Sequence, residues 1–324
     1  MRAAAGAAHA QVPRTVTLRI ARMSDYAETM AVGGSIAAVV VNWRDTERTL
    51  RCVRSLLASQ VVGSIFLIDN ASDGGLREAM RASAHESWDR VALTEHEDNR
   101  GFAGAVNRGM EQAILAGFVE ILAINNDATI DERSLTQLID ELRADRMLAL
   151  VAPMIRTPAG EVESAGEYLN PWLGVTGRTR ADRSVDFATW ACVLVSAEAL
   201  KVVGLLDERF FMYWEDVTFS LRARSMGWRI AISSTASAVH ETSANRQSHP
   251  VAIKAYHTWS SITFAQQQGG AWRVGNIIWV ATSSLANVVR GRRAALRGIR
   301  LGIRLAREKH VPAYESPLRK ALFD

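Results

Sequence analysis

The run Ile36-Ala37-Ala38-Val39-Val40-Val41 is apolar and β-branched without interruption, the pattern of a strand covered on both faces. Asp45 and Thr46 can cap a following helix that places Leu50, Val53, Leu56 and Leu57 on one face. Ser64-Ile65-Phe66-Leu67-Ile68 reads as a second strand ending at Asp69, residues 75–86 as a helix, and Val91-Ala92-Leu93 as a third, short strand. Val106, Met110, Ala113 and Ile114 form a helical stripe that stops at Gly117, and strand four runs from Glu120 to Ile124. Strands alternating with helices predict an α/β fold with a doubly wound sheet. Ligands of such sheets sit beyond the carboxyl ends of the strands. Asp69, Asn99 and Asn125-Asn126-Asp127 all fall at such ends.

The second half changes character. Thr157-Pro158-Ala159-Gly160 signals a turn and an antiparallel hairpin. Val185 to Val195 reads as a strand, followed by a short helix near Ala197 to Val203. A helix begins at Glu215 with Val217, Leu221 and Met226 at helical spacing. Residues 228–232 and 236–239 read as two further strands, the second closed by His240. Residues 251–268 are helical, and residues 272–309 form one or two more helices. This divides the chain into an extension (1–34), an α/β domain (35–250) and C-terminal helices (251–324).

Composition narrows the picture. At 324 residues, 48% hydrophobic and 22% charged, the chain suits one large α/β domain with an appendage. Cys52 and Cys192 lie on apolar patterns, which predicts buried thiols in a reducing compartment and neither a disulfide nor a zinc site. Ala3 to Ala8 is too weakly apolar for a signal-peptide core, and Thr15 to Leu18 could be a short strand. The net charge of +4 is uneven. Seven arginines and one lysine stand between Arg290 and Lys309 against the single acid Glu308, so the remaining residues are net acidic. Basicity belongs to the tail, where any contact with nucleic acid or membrane must be argued.

The chemistry concentrates in two acidic places. Phe210-Phe211-Met212-Tyr213-Trp214 runs into Glu215-Asp216 at a helix start, where free N–H groups and the helix dipole favour negative charge. Asn125-Asn126-Asp127 follows a buried strand. A carboxylate at a strand end and a pair at a helix start suggest a divalent metal and a base. With Asp69-Asn70-Ala71-Ser72-Asp73-Gly74 and Asn99-Arg100-Gly101-Phe102-Ala103-Gly104-Ala105-Val106-Asn107-Arg108-Gly109, these motifs in this order resemble family 2 inverting glycosyltransferases, especially the rhamnosyltransferase-like branch, over roughly residues 36 to 245.

The resemblance implies a GT-A fold, a mixed sheet with its nucleotide half first and its acceptor half second. It also implies transfer of a sugar from a nucleoside-diphosphate donor to a hydroxyl of a glycan or lipid-linked acceptor. It places Asn42, Asp69, Asn70, Asn99, Gly101, Phe102, Ala103, Asn107, Asn125 and Asn126 around the donor. Asp127 would hold Mg²⁺ or Mn²⁺ with donor phosphates completing the shell, and His240 would lie near that ion. Asp216 would be the base, with Glu215 shaping the acceptor site and Trp190, Tyr213 and Trp214 lining it. Trp172 is a further aromatic that could stack on a sugar. Trp190 stands where family members often have a small residue, and Thr218 where many have another aspartate. A nucleotidylyltransferase of similar fold and a non-catalytic sugar or nucleotide binder remain as alternatives.

On a helical projection Arg293, Arg297, Arg300, Arg304 and Arg307 fall within about 80°. Such a helix could lie on an anionic membrane surface or pack on the domain with a solvated basic face. The expectation is an enzyme at the inner face of the cell membrane with no nucleic-acid partner, and homo-oligomerisation stays open.

Overall fold

A computed structural model describes residues 36–71, 74–83, 88–178, 185–241 and 249–307. The N-terminal extension, Asp73, the end of the helix expected at 75–86, and the chain beyond Arg307 lie outside the described residues.

The elements run β1 (Ile36–Asn42), α1 (Thr46–Leu57), β2 (Val62–Asn70), α2 (Gly75–Ala82), β3 (Val91–His96), α3 (Gly101–Leu115), β4 (Glu120–Asn125), β5 (Ala128–Ile130), α4 (Glu132–Ala144), β6 (Leu148–Arg156) and β7 (Val162–Ser164). They continue with β8 (Glu167–Asn170), β9 (Val175–Arg178), β10 (Cys192–Ser196), α5 (Ala197–Val203), α6 (Glu215–Ser225), β11 (Arg229–His240), α7 (Pro250–Gln268), α8 (Gly270–Val289) and α9 (Arg293–Arg307).

Nine strands make one sheet in the order β3-β2-β1-β4-β10-β6-β11-β5, with β7 paired to β6. The first four strands are parallel; β10 runs antiparallel to β4 and β6. Alternation along β1 explains the two layers. Ile36, Ala38 and Val40 face a core with Leu50, Val53 and Leu56 of α1 and Leu135 and Leu138 of α4. Ala37 and Val39 face Val106 and Met110 of α3, Leu200 of α5 and Phe219 of α6. Each such aliphatic side chain contributes about 1.5–3 kcal/mol by leaving water.

Only Asn126 and Asp127 separate β4 from β5, yet β5 pairs with β11 at the far edge of the sheet. In a flat sheet four strand spacings would be on the order of 19 Å, beyond the roughly 10 Å that this link can reach. The sheet therefore curls, and the curl lifts Asn126 and Asp127 across its mouth.

Three expectations change. The strand expected over Val185 to Val195 is confined to Cys192–Ser196, because the preceding segment makes only an isolated bridge, Phe187 to Glu167. The two strands expected at 228–239 are one, β11, with an irregularity between Ile232 and Ser237 that keeps its pairing with β6. Helix α4 was not foreseen. Asp131 caps it by accepting from Ser134 N at 2.7 Å, and Leu135, Leu138, Ile139 and Leu142 face the sheet.

The C-terminal helices pack on the domain through aromatics. Phe211 stacks on Tyr256 of α7 at 4.5 Å, and Trp214 lies against Phe264 and Trp272. Helix α9 returns along α7 with Gly298, Ile299, Gly302 and Ala306 buried. A β-carbon at Gly298 or Gly302 would strike the α7 backbone, so small residues set this approach. Its five arginines point to solvent.

Candidate active site

One cleft opens at the carboxyl ends of β1, β2 and β4. Its walls carry Asn70, Asn99, Gly101, Phe102, Asn125, Asn126, Asp127, Trp190, Tyr213, Glu215, Asp216 and His240 from the sequence expectations. Val41, Trp43, Thr189, Ala191, Phe211, Met212 and Ile253 complete it. Of these additions Phe211 and Met212 belong to the aromatic motif already read from the sequence, and Trp43, one residue past a strand end, carried a readable signal that went unread. The others are apolar or small residues placed by the fold.

The wall at the end of β2 is built by side-chain amides. Asn70 Nδ2 donates to Asn99 Oδ1 at 2.9 Å and to the Gly101 carbonyl at 3.0 Å, and its Oδ1 accepts from Arg100 N. That clamps the turn entering α3 against the end of β2. Gly101 has φ of 73°, and a β-carbon there would overlap the Phe211 carbonyl oxygen. The same carbonyl accepts from Phe102 N at 2.8 Å, so the turn entering α3 and the aromatic loop before α6 are tied together.

Behind this wall a buried chain runs from Asn42 Nδ2 to Asp69 Oδ1 (2.9 Å), from Thr49 Oγ1 to Asn42 Oδ1 (2.7 Å) and from Asn126 Nδ2 to Thr49 Oγ1 (2.9 Å). Asn42 and Asp69 were expected to touch the donor, but they lie beneath the cleft and brace Asn126 from below. Ala103 is also off the wall, on the sheet-facing side of α3. Asn107 is turned away, bonding both N and O of Leu206 and the Glu208 carboxylate. Trp214 is held in the core against Phe264, and Trp172 is exposed at the β8–β9 turn; neither reaches the cleft.

Asp127 and His240 meet because Ala128 pairs with His240 in the β5–β11 ladder. His240 Nε2 lies 3.1 Å from Asp127 Oδ1, and Nδ1 lies 3.0 Å from Glu163 Oε2, a residue the sequence did not single out. Burial opposes charge on the imidazole, but Asp127 and Glu163 outweigh it and raise its pKa. Asp127 is a buried carboxylate at the cleft wall whose Oδ1 meets only this imidazole among the described residues. That oxygen, an imidazole nitrogen and nearby amides form a donor set that fits a hard divalent ion. No group of three or more His, Cys, Asp or Glu among the described residues could cage a metal. The set suits an ion shared with substrate phosphates.

Opposite in kind is the pair opening α6. Tyr213 and Trp214 both adopt left-handed backbone conformations, φ of 70° and 72°. Bulky residues there cost on the order of 1–3 kcal/mol each, a strain that clusters at functional sites. The Trp214 packing holds the turn and aims Glu215 and Asp216 at the cleft. Glu215 Oε2 is buried without a hydrogen-bond partner among the described residues. Burial, then the neighbouring Asp216, raises the Glu215 pKa well above the usual carboxylate range. Asp216 is partly exposed at the wall and accepts from Val217 N at 2.8 Å. Burial pushes its carboxyl up to about 6 against that bond. Trp190 packs edge-on against Phe219, its indole Nε1 buried and unpartnered among the described residues. Thr218 bonds back to the Trp214 carbonyl at 2.7 Å, so its departure from the family pattern is absorbed locally. Cys52 and Cys192 are buried free thiols, and burial raises Cys52 to about 12, far from a nucleophile's range.

A parallel first half, a mixed second half and an acidic cleft at their junction define a class of sugar transferase. A sequence profile of the glycosyltransferase-like family 2 matches residues 33–273, and the chain belongs to that family. It is 27% identical over 282 residues, 78% of this chain and 90% of the relative, to an N-acetylglucosaminyl-diphospho-decaprenol L-rhamnosyltransferase of Mycobacterium tuberculosis. It is 23% identical over 214 residues, 63% of this chain and 66% of the relative, to the low-salt glycan biosynthesis hexosyltransferase of Haloferax volcanii. The fold overlays on the mannosyltransferase PcManGT of Pyrobaculum calidifontis, solved with GDP-Man and Mn²⁺, with a TM-score of 0.55 at 16% identity, covering 89% of this chain and 78% of that one. The fold is GT-A, and the protein is a glycosyltransferase.

Proposed function

We propose that this glycosyltransferase inverts the anomeric centre in a single displacement, with Asp216 as base and a divalent ion, Mg²⁺ or Mn²⁺, at Asp127. The observation that carries the reading is one cleft lined by both the Asp127–His240 pair and the Glu215–Asp216 pair. The acceptor hydroxyl oxygen forms its bond to the anomeric carbon while the bond from that carbon to the donor's diphosphate oxygen breaks, and the hydroxyl proton passes to Asp216. A carboxylate raised to about 6 is a better matched base near neutral pH than an ordinary aspartate. Glu215, whose burial and neighbouring Asp216 favour the protonated form, can donate to a sugar or acceptor oxygen. Asp127 would supply a carboxylate oxygen to the ion and His240 the adjacent nitrogen, with Glu163 orienting the ring from behind. When bound, the ion neutralises charge growing on the departing diphosphate. Asn70, Asn99, Asn125 and Asn126 would orient the donor.

The mycobacterial relative's name supports rhamnose as the sugar and a lipid-diphosphate-linked glycan as the acceptor. Such an acceptor would put the reaction at the inner face of the cell membrane. No helix among the described residues is long and apolar enough to cross a membrane.

The test is a panel of nucleoside-diphosphate sugars, with and without Mn²⁺, incubated with an N-acetylglucosaminyl-diphospho-lipid. Release of nucleoside diphosphate and a product of inverted anomeric configuration by NMR are expected. Retained configuration, or turnover indifferent to chelator, would overturn the proposal.

A further inference from the structure

The outer surface of α8 is apolar where a soluble domain would be polar. Val274, Ile277, Ile278, Leu285, Val288 and Val289 are 49%, 69%, 41%, 65%, 59% and 78% exposed. At 100° per residue they fall within a sector of about 120°. Gly275, Asn276 and Asn287 point the other way, into the protein. An apolar surface this continuous marks an interaction site. The β8–β9 turn, with Trp172 and Leu173 65% and 49% exposed, packs at Gly275 and adds to the same end.

Charge decides what covers this face. The segment from Pro250 to Arg307 contains nine Lys or Arg and no Asp or Glu. Arg290, Arg292 and Arg293 are exposed directly after the apolar sector ends, and Arg297, Arg300 and Arg307 continue on α9. Helices α8 and α9 both pack on α7 and touch each other. A second protein copy would have to place like charges together, whereas an anionic lipid surface offers both an apolar layer and opposite charge.

We propose that α8 is the membrane-docking element. Its apolar sector would sit at the boundary of head groups and acyl chains, with the exposed arginines of the 290–307 segment at head-group level. This relocates the insertion expected of α9, whose own small apolar residues are buried on α7. It also links docking to the cleft. Trp279 on the inner side of α8 stacks on His257 at 5.2 Å, and His257 meets the cleft residue Tyr213 at 5.4 Å. A lipid-anchored acceptor would therefore enter beside the docking helix. That last step rests on the lipid-linked acceptor proposed above; the docking face does not.

Co-sedimentation of the full chain with vesicles of equimolar phosphatidylglycerol and phosphatidylcholine, and with phosphatidylcholine alone, tests it. The wild type should bind the anionic vesicles and keep a salt-resistant fraction. Ile277→Glu with Leu285→Glu should lose that fraction. Arg297→Ala with Arg300→Ala should weaken low-salt binding about 25-fold, about fivefold for each arginine. All are surface positions, so both variants should melt like wild type and release nucleoside diphosphate normally with a water-soluble acceptor. A wild type that binds no vesicle, or variants that bind as wild type does, would overturn the proposal. So would light scattering in which the α8 variant turns a dimer into a monomer with vesicle binding unchanged. Lost vesicle binding with transfer intact touches docking alone, whereas absent transfer in wild type touches the transferase chemistry.

Discussion

Replacing Asp216 with Asn should make the protein more stable and nearly inactive at the same time. Its carboxyl is lifted from 3.8 to about 6, chiefly by burial. At about 1.4 kcal/mol per tenfold change in proton affinity, this corresponds to a ceiling of about 3 kcal/mol against the folded state. Water reaching the cleft screens part of it, since Asp216 is only partly buried, leaving about 1–2 kcal/mol. The direction follows from proton binding. Below pH ~4 both folded and unfolded chains keep the proton and nothing is lost. Between pH ~4 and ~6 the unfolded chain releases it first, so stability falls as pH rises; above ~6 the full penalty is present. Asparagine keeps the acceptor for Val217 N but carries no charge. Asp216→Asn should therefore melt about 2–6 °C higher than wild type at pH 8 and match it near pH 4. Turnover should drop at least about 10²-fold, the usual loss of general-base assistance, with donor affinity retained. Wild-type turnover should decline tenfold per pH unit below ~6. Differential scanning fluorimetry at both pH values and a nucleoside-diphosphate release assay decide the matter. Equal destabilisation at pH 4 and pH 8 would make the carboxylate a structural cap, and near-normal turnover would place the base elsewhere.

Other changes probe the rest of the cleft. Asp127→Ala should leave the melting transition cooperative but abolish the chelator-sensitive part of nucleotide affinity, read by calorimetry with and without EDTA. Glu215→Gln imitates the neutral acid, so turnover should stay within about tenfold of wild type while thermal stability at pH 8 rises; a loss as deep as that of Asp216→Asn would show that Glu215 works ionised. Gly101→Ala combines a left-handed backbone with a clash at Phe211 and should cost about 1–3 kcal/mol in urea unfolding, raising the donor KM.

Much of this architecture is legible in the chain because its first half obeys simple periodicities. β1, β2 and β4 are fully covered strands, so their runs are apolar without a break, and the polar cluster that ends each of two of them is visible against that background. The second half hides more. Phe187, Ala188, Trp190 and Ala191 are buried although they form no strand, and hydrophobicity alone cannot separate the two. Helix α4 carries a clear cap at Asp131 and a spaced apolar face, but the segment between Asp127 and the turn at Thr157 goes unassigned beside the more conspicuous polar cluster. Within the site, residues at strand ends were found by position, but whether each faces the cleft depends on rotation. Asn42 and Asn70 both end strands; one turns under the floor and the other onto the wall. Asn107 illustrates the same gap on a helix, its amide spent on the Leu206 backbone. Glu163 was invisible because its importance comes from a hairpin that folds back to meet His240.

The two-residue link between β4 and β5 gives the molecule a built-in order of assembly. Everything up to Asn125 can pair locally, but β5 has no partner until β11 is made, more than a hundred residues later. During synthesis Asp127 has no imidazole neighbour until His240 has been made. Only a chain extended through β11 brings Asp127 and His240 side by side, so every product that stops short of His240 lacks this wall of the cleft.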